Sequence, residues 1–430
     1  MAECRGVVVR VHIQAGTALL TITLLAVPAA RALALDAAAT DELAERVRRL
    51  EGALEGMTEQ VQTMQGDVDK LRKFKFSGYV QARWETGEAK ADTVQVAGSG
   101  PTLTPANNER FSIRRGRFKL TYDSAPLSQA VVYLDGSTSG SSISVRLLEA
   151  YVTLFDPWTP LKRHALTIGQ FNLPFGYEIE RSSAARELPE RSRAENVLFP
   201  GERDRGVKLH SQWTERFETA VGIFNGPGIS SAEYPTADPN RHKDLVARAR
   251  WSQGVVDAAI SFLDGRQLTA LTGPDAHTDK RRIGVDAQVY YQVPVVGGGS
   301  LKAEWYGGHE VNPDSVKTLV TSAPGGGAPR LLRAGADAEH LATDVAGWYV
   351  MAVQNLGERF QVAARFDAWD PNTDRDHDEY ERWSLAGHWF YDGFTRVTVA
   401  YDAPATERLQ GGRWTDPRDN LWTVQVQHRF

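Results

Sequence analysis

The sequence has 430 residues, 42% of them hydrophobic, which is enough for two or three ordinary domains or for one large β architecture. It carries 49 basic and 54 acidic residues, a formal net charge of −5. This balance excludes the strongly basic surface that a nucleic-acid-binding protein presents. Its single cysteine, Cys4, excludes a disulfide framework.

Residues 1–34 have the features of a cleaved secretory signal peptide. Arg5 and Arg10 give a basic start, an apolar run follows at 15–27, and 32–34 reads Ala-Leu-Ala, a small-residue cleavage site. The apolar run is too short to cross a membrane as a helix, which takes about 20 apolar residues. Cleavage would remove Cys4 and leave 46 basic and 53 acidic residues, a net charge of −7, in the exported chain.

Residues 35–73 are predicted to form a periplasmic coiled coil. Apolar residues recur with steps that alternate between four and three, the pattern of an a/d seam over four heptads. The seam consists of Leu43, Val47, Leu50, Leu54, Met57, Val61, Met64, Val68 and Leu71. Arg46 with Glu51 and Asp67 with Arg72 occupy g and e positions, where opposite charges favour parallel self-association. A single amphipathic helix lying on the protein's own surface remains the alternative.

At Phe74 the hydrophobic period changes from 3.5 to 2. Apolar residues alternate with polar ones from here to the end of the chain, and turn residues separate the segments. We predict sixteen strands at 74–86, 111–122, 129–136, 144–155, 164–171, 205–213, 217–225, 244–251, 254–263, 281–292, 300–309, 345–356, 359–369, 381–391, 394–402 and 421–430. The connections between these strands mostly alternate between long and short, and 137–143 fits this alternation least well. A transmembrane barrel shows the same pattern, because its short turns all lie at one rim.

A soluble sandwich or lipocalin would use the apolar face as its core, whereas a membrane barrel turns that face toward lipid. Aromatic residues at predicted strand ends, such as Trp84, Trp213 and Trp422, favour the barrel, because aromatic girdles mark membrane interfaces. The opposite faces also carry too many charges for a dry core. The last strand ends on Phe430 and must pair with the first to close the barrel. The predicted fold is therefore an all-β transmembrane barrel of sixteen antiparallel strands (74–430), preceded by an N-terminal α-helical coiled-coil segment.

The stretch LTIGQFNLPFGYEIE, at 166–180, ends a strand and opens a long polar excursion, 172–204, that we interpret as the constriction of a pore. The charged candidates within it are Glu178, Glu180, Arg181, Arg186, Arg191, Arg193 and Arg203. The segment 172–205 contains six arginines and seven acidic residues, so its net charge is close to zero.

Several motifs resemble the phosphate-selective porins O and P of Gram-negative outer membranes. They are GQF-x-x-PFG from Gly169 to Gly176, the series Pro200, Arg203, Gly206 and Val207, and GWYVMAVQ followed by VAARFDAWDPN between 347 and 372. The resemblance extends over 74–430. It implies a trimeric sixteen-stranded barrel in the outer membrane, a third long loop folded inward, and an arginine- and lysine-lined pore that passes anions.

The cations that such a pore needs alternate with apolar residues along three predicted strands. We expect Arg115, Arg117, Lys119, Lys208, Arg248 and Arg250 to line the lumen. A series of fixed positive charges lowers the barrier for an anion while dividing its binding among weak sites, and arginine can hold two phosphate oxygens at once. Each of these cations could instead pair with a nearby carboxylate. With a neutral constriction, we predict a diffusion pore of weak to moderate preference for small anions such as phosphate.

Other functions are less well supported by the sequence. Asp374, Asp376 and Asp378 have the spacing that opens a calcium-binding EF-hand loop, but Glu379 and Leu385 stand where that loop needs glycine and glutamate, so no metal site is predicted. The alternatives are a solvated external loop or loose divalent bridging of this loop to lipopolysaccharide. No catalytic residues and no cofactor are expected, because no G-x-S-x-G elbow is present. A structural role remains open, in which the coiled coil tethers the barrel to the cell envelope and transport is incidental.

Overall fold

The structure, a computed structural model, describes residues 37–88, 94–96, 103–105, 109–137, 144–229, 238, 241–268, 277–311, 342–375, 377, 379–406, 408–410, 413–415 and 419–430. The chain divides into two compact units, Met1–Asp69 and Lys70–Phe430. The predicted signal peptide at 1–34 lies outside the described residues.

A single long helix, α1 (Ala37–Arg72), covers the predicted coiled-coil segment. Its sequence lacks proline and keeps a strict apolar stripe, which explains the uninterrupted helix. The stripe residues from Val47 to Leu71 all have exposed side chains in the monomer. The helix is therefore as predicted, while its pairing with other copies stays a prediction. No helix among the described residues is both long enough and apolar enough to cross a membrane.

The second unit is a closed barrel of sixteen antiparallel strands, as predicted. In chain order they are β1 (Phe74–Gly87), β2 (Arg110–Ala125), β3 (Ser128–Ser137), β4 (Ser144–Phe155), β5 (His164–Asn172), β6 (Arg203–Gln212), β7 (Phe217–Phe224), β8 (Asp244–Gln253), β9 (Val256–Leu268), β10 (His277–Val293), β11 (Gly297–Val311), β12 (Ala342–Leu356), β13 (Phe360–Asp370), β14 (Tyr380–Phe390), β15 (Thr395–Thr406) and β16 (Leu421–Arg429). Two small hairpins, Val94–Val96 with Leu103–Pro105 and Arg408–Gln410 with Arg413–Thr415, lie in the long connections.

Each strand pairs with its neighbours in sequence, and β1 closes the ring on β16. Tyr79 lies opposite Arg429 and Gly87 opposite Leu421 in this last pair. Beyond β16, Phe430 and Gly78 exchange two backbone hydrogen bonds of 2.9 and 3.1 Å. The Phe430 ring lies over Gly78, and a Cβ at that position would overlap both the ring and the Arg117 carbonyl. The absence of a side chain at Gly78 thus lets the last residue of the sequence complete the closure.

The alternating strands separate two chemically different faces. On β1, Phe76 and Val80 are exposed on the outside, whereas Tyr79, Gln81 and Arg83 face inward and are buried. The same alternation continues around the ring and leaves an outer face rich in valine, leucine, isoleucine and aromatic side chains. Since an apolar outer face with a charged interior is the reverse of a soluble β protein, the structure favours the barrel prediction over a sandwich or lipocalin.

Candidate functional site

The connection between β5 and β6 folds into the barrel and forms the candidate site. It runs over 173–202, because Asn172 and Arg203 already pair as strand residues, so the predicted range 172–204 is too wide at both ends. It contains two short helices, α2 (Tyr177–Glu180) and α3 (Arg193–Leu198). We call it the inward loop.

One face of the inward loop is apolar and packs against the barrel wall. Phe175, Ile179 and Leu198 are at most 3% exposed and pack in one cluster with Tyr306 and Trp369 of the barrel wall. The Phe175 ring stacks on Tyr306 with centroids 6.3 Å apart. Burying apolar side chains of this size contributes about 1.5–3 kcal/mol each. The inward loop is therefore a packed element and not a free flap.

A turn at Gly176 brings the start of α2 against β11. Gly176 has a φ of +63°, which glycine adopts without strain, and a Cβ there would overlap Glu304 Oε1. The Tyr177 backbone N–H donates to that same oxygen at 2.8 Å, and Tyr349 Oη donates to Oε2 at 3.0 Å. Glu304 therefore holds the backbone of the inward loop to the wall, and this explains the glycine of the PFG motif.

A second attachment joins the inward loop to β13. The Glu178 carboxylate accepts a hydrogen bond from Arg365 Nη1 at 3.0 Å and from the Ser192 N–H and hydroxyl at 2.9 and 2.8 Å. Arg365 Nη2 also donates to the Arg191 carbonyl at 3.0 Å. Asp367, the next inward residue, accepts from the Arg193 backbone N–H at 2.9 Å. All of these charges are buried, so each depends on its partner.

The far side of the inward loop is joined to β1 and β2 by the Glu190 carboxylate and by Ser183, which accepts hydrogen bonds from Gln81 Nε2 at 3.2 Å and Arg117 Nη1 at 2.7 Å. Glu190 lies within 3.0 Å of Arg83 Nη1, 2.8 Å of Arg114 Nε and 3.4 Å of Arg115 Nη2. Arg114 and Arg115 both point inward because Ile113 pairs with Ala82 and Arg115 with Gln81, which makes Arg114 the extra residue of a β-bulge. Burial tends to raise the pKa of Glu190, but the three guanidinium groups outweigh it and hold that pKa well below its usual range.

The six predicted pore-lining cations all lie on the inward face, but five are paired with acids. Arg115 pairs with Glu190, Arg117 with Asp135 at 3.2 Å, Lys119 with Glu149 at 3.4 Å, Arg248 with Asp286 at 2.6 Å, and Arg250 with Glu218 at 3.2 Å. Only Lys208 has no carboxylate within 4 Å among the described residues; its Nζ lies 5.1 Å from the centre of the Phe171 ring. The positive charge expected along the walls is thus largely compensated.

The predicted constriction residues do not form one lining. Glu178, Arg186 and Arg191 are buried within the inward loop, and Arg203 is a strand residue that pairs with Glu149 at 3.0 Å. Glu180, with 43% of its side chain exposed, lies 3.6 Å from Arg248. Arg181 is partly exposed and pairs with Glu187, while Arg193 is exposed and lies over the Tyr380 ring. Most of these charges therefore attach the inward loop instead of facing a solute.

Sequence reasoning did not select several cations that the structure brings to the site. Arg83, Lys302 and Arg282 lie at inward positions, and their alternation with apolar neighbours could have identified them. Lys302 pairs with Glu187 of the inward loop at 2.5 Å. Arg114 had no such indication, because strict alternation places it outside the barrel. Within the described residues, no group of three or more His, Cys, Asp or Glu could hold a metal ion, and Asp376 and Asp378 lie outside them.

Glu195 of α3 is fully buried, and its Oε2 lies 3.1 Å from Arg191 Nε. Burial raises the pKa of Glu195 to about 7 from 4.5, against the attraction of Arg191. The folded protein thus holds this proton more tightly than the unfolded chain. The resulting stabilisation is complete below about pH 4.5 and declines as the pH rises to about 7.

We therefore expect the wild type to lose up to about 3 kcal/mol of stability between pH 5 and pH 8 relative to Glu195→Gln, which cannot ionise. The measurement is the thermal unfolding midpoint of both proteins at the two pH values. An identical pH dependence in the two proteins would contradict the assignment.

A closed sixteen-stranded barrel with an apolar outside, a charged lumen and an inward loop defines the class of outer-membrane channel proteins known as porins. The family model described as phosphate-selective porin O and P matches residues 86–430. The chain therefore belongs to this family, which places it in the outer membrane of a Gram-negative bacterium and favours a channel over an enzyme.

Solved structures share the fold at low sequence identity. The outer membrane channel DcaP of Acinetobacter baumannii is 13% identical, with a TM-score of 0.54, covering 83% of this chain and 97% of that one. The anion-selective porin from Comamonas acidovorans is 12% identical, with a TM-score of 0.53 and coverage of 83% and 99%. OmpT of Vibrio cholerae in its trimer form is 10% identical, with a TM-score of 0.52 and the same coverage. A comparison with curated protein sequences finds no match.

Proposed function

We propose that this porin is a water-filled diffusion channel for small anionic solutes such as phosphate, with weak to moderate selectivity. The observation that carries the proposal is the pairing of the inward cations: five of the six predicted ones lie next to a carboxylate, and Lys208 does not. Paired charges contribute little net field to a passing ion, since the two signs cancel at a distance. Lys208, together with the three arginines that share the one carboxylate of Glu190, gives a modest preference for anions.

The test is the reversal potential of single channels in a salt gradient, with chloride, phosphate and sulfate compared in planar bilayers. We expect a moderate anion preference in the wild type. Lys208→Glu should move the reversal potential toward cation selectivity, because it replaces the unpaired positive charge by a negative one. Arg359→Gln, in an exposed turn, serves as the matched control and should leave the reversal potential unchanged. Clear cation selectivity of the wild type would contradict the proposal.

We further propose that the functional form is a homotrimer associated through its barrel walls and through a periplasmic coiled coil at 35–73, after cleavage of the signal peptide at 1–34. The support is the unbroken apolar stripe of α1, whose members are 44–69% exposed in the monomer from Val47 to Leu71. An apolar a/d stripe of this kind is stabilised when the same stripe of other copies covers it. One solved relative in fold is described as a trimer.

The alternative role, in which the coiled coil tethers the barrel to the envelope and transport is incidental, is favoured by that same exposed stripe. Deletion of 35–73 separates the two, with the signal peptide retained. A diffusion channel should keep its unit conductance and lose oligomer stability, measured by chemical cross-linking and native electrophoresis. A tether should instead lose its retention with the cell wall fraction. Unchanged cross-linking after the deletion would contradict the coiled coil.

A further inference from the structure

A groove crosses the outer face of strands β12 to β16, on the side of the barrel that faces lipid. It has a volume of about 500 Å³ and is open to the outside. Ala352, Ala364 and Gly387 form its floor, and Leu385, Val399 and Trp422 stand around it. A Cβ on Gly387 would meet no heavy atom within 4 Å in the described part of the chain beyond its own neighbours, so the space above this strand is free.

The sequence produces this groove by placing small residues at outward positions of three neighbouring strands. Ala352 of β12 lies opposite Ala364 of β13. Gly387 of β14 lies opposite Val399 of β15. The outer face elsewhere carries mainly valine, leucine, isoleucine and aromatic side chains, so the missing side-chain volume is local.

Aromatic residues bound the groove on both sides. Phe366 and Trp383 are paired toward the rim of the long connections, with ring centroids 5.0 Å apart. Phe360 and Trp389 are paired toward the rim of the short turns, and their side chains are 53% and 41% exposed. A second barrel would touch these rings first, because two barrel walls are both convex. It would not reach the floor of the groove, whereas a flexible chain can lie in it.

The groove has little capacity to bind a polar ligand. No charged side chain lines it in the part of the chain that the structure describes. The side-chain amide of Gln354, at its edge, donates to the backbone carbonyls of Gly297 at 3.1 Å and Asn355 at 2.8 Å. An occupant must therefore be apolar, and the bilayer supplies acyl chains at this surface. Since such a chain does not leave water, its binding depends on van der Waals contact with the floor and both sides.

The groove lies in the half of the wall nearer the short turns. Ala364 is four residues from the start of β13 and Gly387 is three residues from the end of β14, both at that rim. The short turns of outer-membrane barrels face the periplasm. We propose that the groove binds one acyl chain of a phospholipid from the periplasmic leaflet of the outer membrane. The inference requires that the barrel spans the membrane, and it does not depend on the proposed selectivity or on the coiled coil.

The experiment uses full-length protein that is purified in a mild detergent and washed free of exchangeable lipid. Dipalmitoyl phosphatidylethanolamine is then added, and bound lipid is counted by native mass spectrometry. The wild type should retain one phospholipid per chain after more weakly held lipid has dissociated. Ala364→Leu and Gly387→Leu fill the groove and should lose that phospholipid. Ala249→Leu is the matched control, because it adds the same side chain to the outer face of β8, outside the groove, and should retain it.

All variants should keep the unit conductance and the heat-modifiable mobility of the wild type, which shows that the barrel is intact. Equal retention by the wild type, the control and both groove variants would overturn the proposal, because the lipid would then lie anywhere on the wall. Absence of retained phospholipid from the wild type would overturn it too. Displacement by lipopolysaccharide would assign the groove to the other leaflet instead. Loss of cross-linked oligomers in the groove variants, with phospholipid retained, would show that a second copy covers the groove. None of these outcomes depends on the reversal potential, so the two proposals fail separately.

Discussion

Replacement of Glu190 by glutamine is expected to loosen the inward loop from β1 and β2, where the Ser183 hydrogen bonds to Gln81 and Arg117 would remain. The change leaves Arg83, Arg114 and Arg115 without the carboxylate that they share. In the wild type, the oxygens of this carboxylate lie 2.8 to 3.4 Å from the nitrogens of the three arginines. Removing one partner of a buried ion pair costs about 3–5 kcal/mol, and the partial exposure of Glu190 places this case at the lower end. We expect a higher single-channel conductance, because the loosened segment narrows the lumen less, and frequent voltage-dependent closures.

The control for this prediction is Glu215→Gln, a carboxylate in the turn between β6 and β7. The exported chain is expected to have no cysteine, so a cysteine introduced at Ala185 reports directly on the inward loop. Its reaction with a charged thiol reagent should accelerate in Glu190→Gln and stay slow in Glu215→Gln. Wild-type conductance and wild-type labelling rates in Glu190→Gln would show that the loop is held without this carboxylate.

Replacement of Arg365 by methionine is expected to destabilise the opposite attachment. Arg365 is 1% exposed and contacts Glu178 at 3.0 Å, Asp367 at 3.3 Å and the Arg191 carbonyl at 3.0 Å. Methionine fills a similar volume but leaves Glu178 as an unpaired buried charge, which should cost about 3–5 kcal/mol. The measurement is the thermal unfolding midpoint together with the heat-modifiable mobility of the barrel in gels.

The double variant Arg365→Met, Glu178→Gln tests the reason for that loss. A neutral amide still accepts the Ser192 bonds and no longer requires a cation, so the double variant should recover part of the lost stability. The double variant could instead lose as much stability as the two single variants combined. That result would show that the packing of Arg365, and not its charge, stabilises the protein.

The barrel could be predicted in detail because alternation is a local property. Each of the sixteen predicted segments coincides with an observed strand to within a few residues. A period of two repeated through β1 to β16, with turns between, admits few arrangements other than a closed sheet. The apolar stripe of α1 could be predicted equally well, because a heptad pattern depends only on the spacing of apolar residues along the chain. The inward loop was anticipated from its length, its polarity and the family resemblance.

The sequence predicted which charged residues face the lumen, but not how they pair with one another. Alternation placed Arg115, Arg117 and Arg248 on the inward face, but their partners lie on other strands or on the inward loop. Sequence spacing says nothing about which acid meets which base across a lumen. Arg114 shows the limit most clearly, because one bulge reverses its direction and gives Glu190 a third arginine.

The sequence by itself determined the long helix with its apolar stripe, the sixteen strands and the near neutrality of the segment that enters the lumen, because periodicity and composition are properties of the chain alone. Only the tertiary structure decided that this neutrality consists of specific ion pairs and that Glu304, Arg365 and Glu190 hold the inward loop on two sides. It also decided that Lys208 has no carboxylate within 4 Å in the described part of the chain. Ion pairing depends on distances of a few ångströms between residues far apart in sequence, and closure of the barrel sets those distances.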